Sequence, residues 1–591
     1  MKRIHRVRLV CALILGLAFQ GCLPESTAVL SQDDEILDDF IDEYYRERFA
    51  FYPAESTLAG FPGHDDELEQ YDGASISQRI AWLADFRLRL IAVRVEDLSR
   101  FAHPEALWLR SEVEAELWHL EQWAPWKHQA DFYLLPARSG LRSLLTRSAS
   151  EIVNPLLGRL EGFVRLCDSA RENLDSMSSA ERQSSLGAIR RTEALLVGVL
   201  NRVLPDVRDH ERHELRASRD AALNALRALR SQVGALPEAK TRRALGEAAF
   251  RKYWIYQAMV DLSTAEMEEM TQAEIQRLRG EIEDTMLSHF PGETLASVLA
   301  RLVSLPPPSE PIAEVTALVE LLSQSSTPLG RIRIENMTRV GESADVIVAP
   351  RVVRVLHPPP LEPIAEGAAL VSTEGSANAA GWVRTMAEAA HDLVGEAVQN
   401  EYRARSMSLL RKVGSVRTSR EGWALLVQSR MLRDAADGQM ARWPSAAAFE
   451  SLERLRPTIE LFVLREALIE QARLLASIRF HRDRIDEASI RELFARDAYL
   501  EPRDIDAQWL RVELDPGIGS AALGMILLQD LERDFRRKYP TASETMFYEK
   551  FLQAGVLPIR LVRYRLIGGD DALEPLPGLG LRPLVSRDIR R

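Results

Sequence analysis

The sequence predicts a mainly α-helical protein with a small β-sheet in the middle of the chain. Three observations predict it. Apolar residues recur at helical spacing through residues 34–300, and again in most of the last third of the chain. Between those regions, composition shifts at Pro306, Pro307 and Pro308 toward short runs of β-branched residues. The full length of 591 residues exceeds what one hydrophobic core usually supports, so two or more packed helical lobes are expected.

Taken from the N-terminus, residues 1–21 read as a signal peptide: Lys2, Arg3, Arg6 and Arg8 precede an apolar run at 9–19, and Gly21-Cys22 follows. That run is far shorter than the roughly 18 uninterrupted apolar residues a spanning helix needs, and no later stretch reaches that length. Leu17 to Cys22 resembles a bacterial lipobox, in which the cysteine is lipidated and becomes the new N-terminus. Buried acyl methylenes contribute about 0.8 kcal/mol each, so several chains on Cys22 would hold the protein at a membrane surface. Leu23 does not resemble an inner-membrane retention signal. The expectation is an outer-membrane lipoprotein facing the periplasm or the cell surface; the alternative is a secreted or periplasmic protein. Residues 22–33 are then a linker.

Residues 34–304 are expected to form an N-terminal helical region. Asp34 opens a run in which Leu37, Phe40, Ile41, Tyr44 and Tyr45 share one helical face, and Pro53 closes it. Ala222, Leu226, Leu229 and Val233 repeat the pattern, as do Ile275, Leu278 and Ile282. Residues 305–375 form a Pro-rich, β-leaning segment, with strand signals at 332–334, 346–348, 352–355 and 370–371. Residues 376–591 return to helical periodicity, at 379–437, 446–494 and 521–539.

Composition narrows the function. Only Cys11, Cys22 and Cys167 are present. With the first in the signal and the second lipidated, no internal disulfide is available, and stability must come from the core. The formal net charge is −12; removing the four positive charges of residues 1–21 gives −12 − 4 = −16. That excludes nucleic acid as a natural partner and leaves the N-terminal lipid as the only membrane contact.

Four separated signatures carry a family resemblance. They are Pro53-Ala54-Glu55-Ser56-Thr57 with Gly60, Asp65, Asp66 and Leu68; Glu421-Gly422-Trp423-Ala424-Leu425; Arg473 followed eight positions later by His481; and Gly555-Val556-Leu557-Pro558 preceded by Phe547 and Glu549. Their order and spacing resemble the bacterial family known as domain of unknown function 885, regarded as zinc metallopeptidase-like, gluzincin-related helical proteins. The resemblance implies a large two-lobed helical zincin-like clamshell. It places Glu388, His391, Glu396, Glu421, Trp423, Arg473 and His481 in or beside a cleft.

The same resemblance fails at the expected metal. The family's helix reads His-Glu-x-x-Pro-Gly-His-His-Leu-Gln, whereas here residues 390–399 read Ala-His-Asp-Leu-Val-Gly-Glu-Ala-Val-Gln. Ala390 replaces the first ligand, His391 the general base, and Glu396 and Ala397 the paired histidines; Glu421 alone matches a ligand. A catalytic zinc needs three protein ligands and an open position. Slipping the alignment to pair His391 with Glu396 leaves them roughly 140° apart around a regular helix. The degenerate positions Ala390, His391 and Glu396 thus predict no catalytic residue and no cofactor. The alternative is zinc or another divalent cation held by His391, Glu396 and Glu421. Leu426 and Ser477 replace polar family positions, and residues 515–522 lack the family's late tyrosine.

Other candidates read as structure. His210 and His213 lie on a charged helix face, and His64 sits in a turn beside Gly63. Trp118, Trp123 and Trp126 suit core packing better than a groove. The expected function is a non-catalytic envelope protein binding peptide or another envelope protein. The alternatives are a working metallohydrolase using Glu388, His391, Asp392, Glu396 and Glu421, and a structural envelope protein with a closed groove.

Overall fold

A computed structural model describes residues 32–144, 149–239, 243–304, 332–336, 353–356, 360–361, 367–371, 391, 398–438, 452–569, 573 and 576–577. The signal segment, Cys22, the strand signal at 346–348, and Glu388, Ala390, Asp392 and Glu396 lie outside the described residues.

The described chain is mainly helical. Its N-terminal part contains α1 (Gln32–Phe51), α2 (Pro53–Ala59), α3 (Gly73–Ile91), α4 (Ala102–Trp118), α5 (Asp131–Leu144), α6 (Ala149–Asn173), α7 (Ser179–Val203), α8 (Asp209–Ala235), α9 (Glu247–Ala258), α10 (Thr264–His289) and α11 (Leu295–Ser304). Strands β1 (Ile332–Asn336), β2 (Val353–Leu356) and β3 (Gly367–Val371) follow. The C-terminal part contains α12 (Val398–Ala404), α13 (Leu409–Val413), α14 (Arg417–Gly438), α15 (Leu452–Asp483), α16 (Glu487–Ala498), α17 (Pro502–Leu514), α18 (Ser520–Lys538), α19 (Glu544–Ala554) and α20 (Ile559–Ile567). The strands form a sheet in which β3 is central, parallel to β1 and antiparallel to β2.

Local chemistry sets many helix ends. Ser178 and Ser263 each accept a bond from the backbone N–H three residues on, while Glu181 and Glu266 bond back, so both helices start with a reciprocal cap. The Pro53 motif forms α2, with proline in the first turn and Gly60 closing the helix at φ 77°. Leu37, Ile41, Tyr44 and Tyr45 are buried along α1, Ala222, Leu226, Leu229 and Val233 along α8, and Ile275, Leu278 and Ile282 along α10.

Three apolar clusters hold these elements. One lies within the N-terminal half, around Leu156, Phe163, Leu196 and Leu226. A second joins α10 to α15, α16 and α17 through Leu278, Leu468, Phe480 and Trp509. The third binds both ends of the chain together: Tyr44, Phe86 and Trp108 from the first part share it with Trp423, Leu523, Phe547 and Leu557 from the last. Burial of this apolar surface, at about 25 cal/mol per Å², is what fixes N-terminal helices against C-terminal ones.

Candidate functional site

Glu421 is placed by what its helix must bury. In α14, Gly422 faces Gly524 of α18 so closely that a Cβ at Gly422 would lie 2.4 Å from the Gly524 carbonyl carbon. Trp423 is fully buried, stacked on Phe551 at 4.8 Å and edge-on to Tyr548 at 5.2 Å. Two positions along a helix turn a side chain by about 200°. Burying Trp423 therefore turns Glu421 toward the partly exposed face, where its side chain is 24% exposed.

There the Glu421 carboxylate meets two cationic or titratable neighbours. His391 Nε2 lies 3.6 Å from Glu421 Oε2, and Arg420 Nη2 lies 2.8 Å from Oε1. Gln399, in the first turn of α12, donates from Nε2 to the Arg420 carbonyl at 3.2 Å and so ties α12 to α14. Among the described residues, no group of three His, Cys, Asp or Glu side chains is arranged to hold a metal ion.

One turn before Glu421, Arg417 pairs with Asp515 at 2.7 Å. The Asp515 carboxylate also accepts the Gly517 N–H at 2.8 Å, shaping the turn that leads into α18. This turn carries no tyrosine of its own, but α9 supplies one. A Cβ at Gly517 would fall 1.9 Å from the Tyr253 hydroxyl, so Tyr253 lies directly over the glycine. Burial and the Asp515 charge push the Tyr253 phenol well above its usual range, so it is a proton donor at neutral pH. His119, just past α4, is driven down to about 4 by burial, with Arg48 adding to the fall and Glu116 and Asp515 opposing it; it is a neutral imidazole at pH 7. Sequence reading missed Tyr253 and His119. Their only signal was an aromatic pair, Tyr253-Trp254, and a histidine at a helix end, neither of which points to Asp515.

Residues 53–566 match the family described as "Bacterial protein of unknown function (DUF885)". The chain belongs to the DUF885 family. Two solved structures share the fold of this DUF885 protein: a candidate lipoprotein of unknown function from Shewanella oneidensis and a candidate lipoprotein from Colwellia psychrerythraea. The first has a TM-score of 0.67 at 15% identity, covering 89% of this chain and 98% of that one. The second has a TM-score of 0.68 at 12% identity, covering 91% and 99%. No curated protein matches the chain.

Among the residues expected in or beside a cleft, Trp423, Arg473 and His481 occupy different environments. Trp423 is a core side chain, for the packing reason given above. His481 is also fully buried, stacked on Phe250 at 4.9 Å, with Nδ1 accepting the Leu245 N–H at 3.4 Å. Burial drives it down to about 3, so it stays neutral. Neither side chain is open to solvent. Arg473, 14% exposed, is engaged by Gln508 at 2.8 Å and by Glu470. Ser477 is buried and donates to the Pro516 carbonyl at 3.1 Å, fastening α15 to the Asp515 turn. His210 and His213 are exposed; Trp118 and Trp123 are buried. His64 bonds Glu67 at 2.8 Å in its turn.

Proposed function

We propose that this DUF885 protein is an exported envelope lipoprotein, anchored through Cys22, that binds peptide or a partner protein in a degenerate metallopeptidase-like cleft without cleaving it. The reading takes the frame to be a two-lobed zincin-like clamshell and the location to be the periplasmic face of the outer membrane. The description of both similar structures as candidate lipoproteins supports the anchor. Among the described residues, no helix is long and apolar enough to cross a membrane.

One observation carries the non-catalytic reading. Glu421, the position that matches a family ligand, is held by the Arg420 guanidinium at 2.8 Å and approached by a single imidazole at 3.6 Å. A guanidinium on a carboxylate opposes a dication there, and Ala390 supplies no donor atom. The donor set does not fit a zinc peptidase site, so no hydrolytic step is drawn through a metal. Arg417, Asp515, Tyr253 and Glu421 instead offer donors and acceptors to peptide amides and carbonyls.

The test is to incubate the mature chain with a mixture of unmodified tetrapeptides, measuring retention by equilibrium dialysis and cleavage by mass spectrometry. Retention without new fragments is expected. Turnover that Glu421→Ala abolishes would instead establish a metallohydrolase, the reading that the 3.6 Å approach of His391 to Glu421 favours second.

A further inference from the structure

A cavity of about 420 Å³ opens between α10, α14, α15 and α18, within the size range of small-molecule sites. It uses a different face of α14 from Glu421: Leu426 and Arg430, which line it, stand about 140° and 180° around the helix from that residue. The buried part of its lining is apolar. Leu278, Leu426, Ala467 and Met525 are all buried, yet all border this space. Ser429 lies among them, and its hydroxyl donates back to the Leu425 carbonyl at 2.8 Å, so it keeps no donor for a ligand.

The more exposed part of the lining is cationic. Arg277, Arg430, Arg533 and Arg536 border the cavity together with two carboxylates, Glu274 and Glu532, and both carboxylates are committed. Glu274 accepts two bonds of 2.7 Å from Arg277. Glu532 accepts Arg430 at 2.6 Å on Oε2 and Arg536 at 2.7 and 3.0 Å on Oε1, so one buried carboxylate holds two guanidiniums in place. Three carboxylates from outside the lining also reach these arginines: Glu281 bonds Arg277, Glu544 bonds Arg430 and Asp530 bonds Arg533. All three are partly exposed, where water weakens such pairs and a competing anion can replace them. Arg533 Nε and Nη1, Arg536 Nη1 and the Gln529 side-chain amide have no partner among the described residues.

We infer that this cavity is a binding site for a carboxylate carrying a short aliphatic chain. The carboxylate accepts from the unspent donors of Arg533, Arg536 and Gln529, a guanidinium fork being matched to its two oxygens, and the chain covers Leu278, Leu426, Ala467 and Met525. Four guanidiniums disfavour a metal cation. No aromatic ring lines the cavity, so a nucleobase has nothing to stack on, and Glu274 and Glu532 oppose a phosphate dianion more than a carboxylate monoanion. Two sources supply this chemistry: a free short-chain fatty acid, and the C-terminal residue of a peptide. The inference draws on none of the groups around Glu421 and stands apart from the proposed function.

The experiment is calorimetric titration of the mature chain with sodium hexanoate and, separately, with N-acetyl-leucine, using hexan-1-ol and N-acetyl-leucinamide as the uncharged counterparts. At least one acid is expected to bind, and its counterpart at least tenfold more weakly. Arg533→Gln, at an exposed position that leaves the Glu532 bonds intact, should weaken the acid severalfold. Adding Arg536→Gln should bring the loss to at least tenfold; Arg533→Gln decides the matter alone if the double variant does not fold. The exposed Arg537→Gln, outside the lining, should change nothing. In protein labelled with carbon-13 at its methionine methyls, the signal that Met525→Leu removes should shift when the acid binds. Hexanoate binding alone assigns the cavity to a free fatty acid, N-acetyl-leucine alone to a peptide C-terminus, and both to the group they share. Failure of both acids to bind, undiminished binding to Arg533→Gln, a counterpart that binds as tightly as its acid, or a Met525 signal that stays still on binding overturns the assignment.

Discussion

Replacing Glu116 by glutamine tests the energetics of the interior most sharply. Glu116 is 6% exposed and anchors Arg79 from α3 and both Arg48 and Tyr44 from α1. Burial would raise its carboxyl, but the Arg79 and Arg48 guanidiniums outweigh that and hold it down at about 2. The folded form thus releases its proton far more readily than the unfolded chain, whose carboxyl titrates near 4.5. Each pH unit of that displacement corresponds to about 1.4 kcal/mol, so ionised Glu116 contributes about 3 kcal/mol. The contribution is complete above pH 4.5 and is lost as pH falls toward 2. Glutamine keeps the shape but leaves Arg79 buried without a carboxylate, and breaking such a buried pair costs about 3–5 kcal/mol. Urea unfolding followed by circular dichroism at pH 7 should show a loss of that size for Glu116→Gln, and none for the exposed Glu121→Gln. The gap between parent and Glu116→Gln should narrow in acid. A loss below about 1 kcal/mol, or an unchanged acid dependence, would refute the reasoning.

Further outcomes follow from single sites. His481, held neutral by burial at about 3 against 6.5 when unfolded, makes unfolding easier as pH drops below 6.5, because the unfolded chain takes up the proton. Between pH 7 and 5 this removes about 2 kcal/mol, which His481→Gln should abolish in paired urea titrations. Gly524→Ala should destabilise by at least about 2 kcal/mol in the same assay, since its Cβ would sit 1.9 Å from the Thr418 carbonyl oxygen and neither backbone can yield without parting α14 from α18. Cys167 is buried and its thiol is pushed upward by desolvation, so in a chain beginning after Cys22 it should resist a thiol-specific chromophore at pH 8 and label fully in urea.

The helices were legible because their signal is local. The spacing of Leu37, Ile41 and Tyr44, or of Leu226, Leu229 and Val233, states which face is buried without reference to any partner. Glu421 was legible for a different reason, as part of a compact motif whose glycine and tryptophan also fix its direction. Trp423 misled in the same motif: a family signature does not say whether a residue serves chemistry or the close packing of α14 on α18. What sequence could not reveal was pairing at a distance. The Arg48–Glu116 and Arg79–Glu116 bonds join residues 68 and 37 positions apart, and Tyr253 reaches Gly517 from another part of the chain. Charges and phenols carry no periodicity that names their partners, so the Glu116 cluster and the tyrosine over the Asp515 turn emerge only from the fold.

The central claim, that the site around Glu421 has lost its grip on a catalytic cation, is tested most directly by elemental analysis of the mature chain purified without chelators. Substoichiometric zinc, manganese and other divalent metals, unchanged by Glu421→Ala, is the predicted result. One equivalent of bound metal that disappears in Glu421→Ala would contradict it.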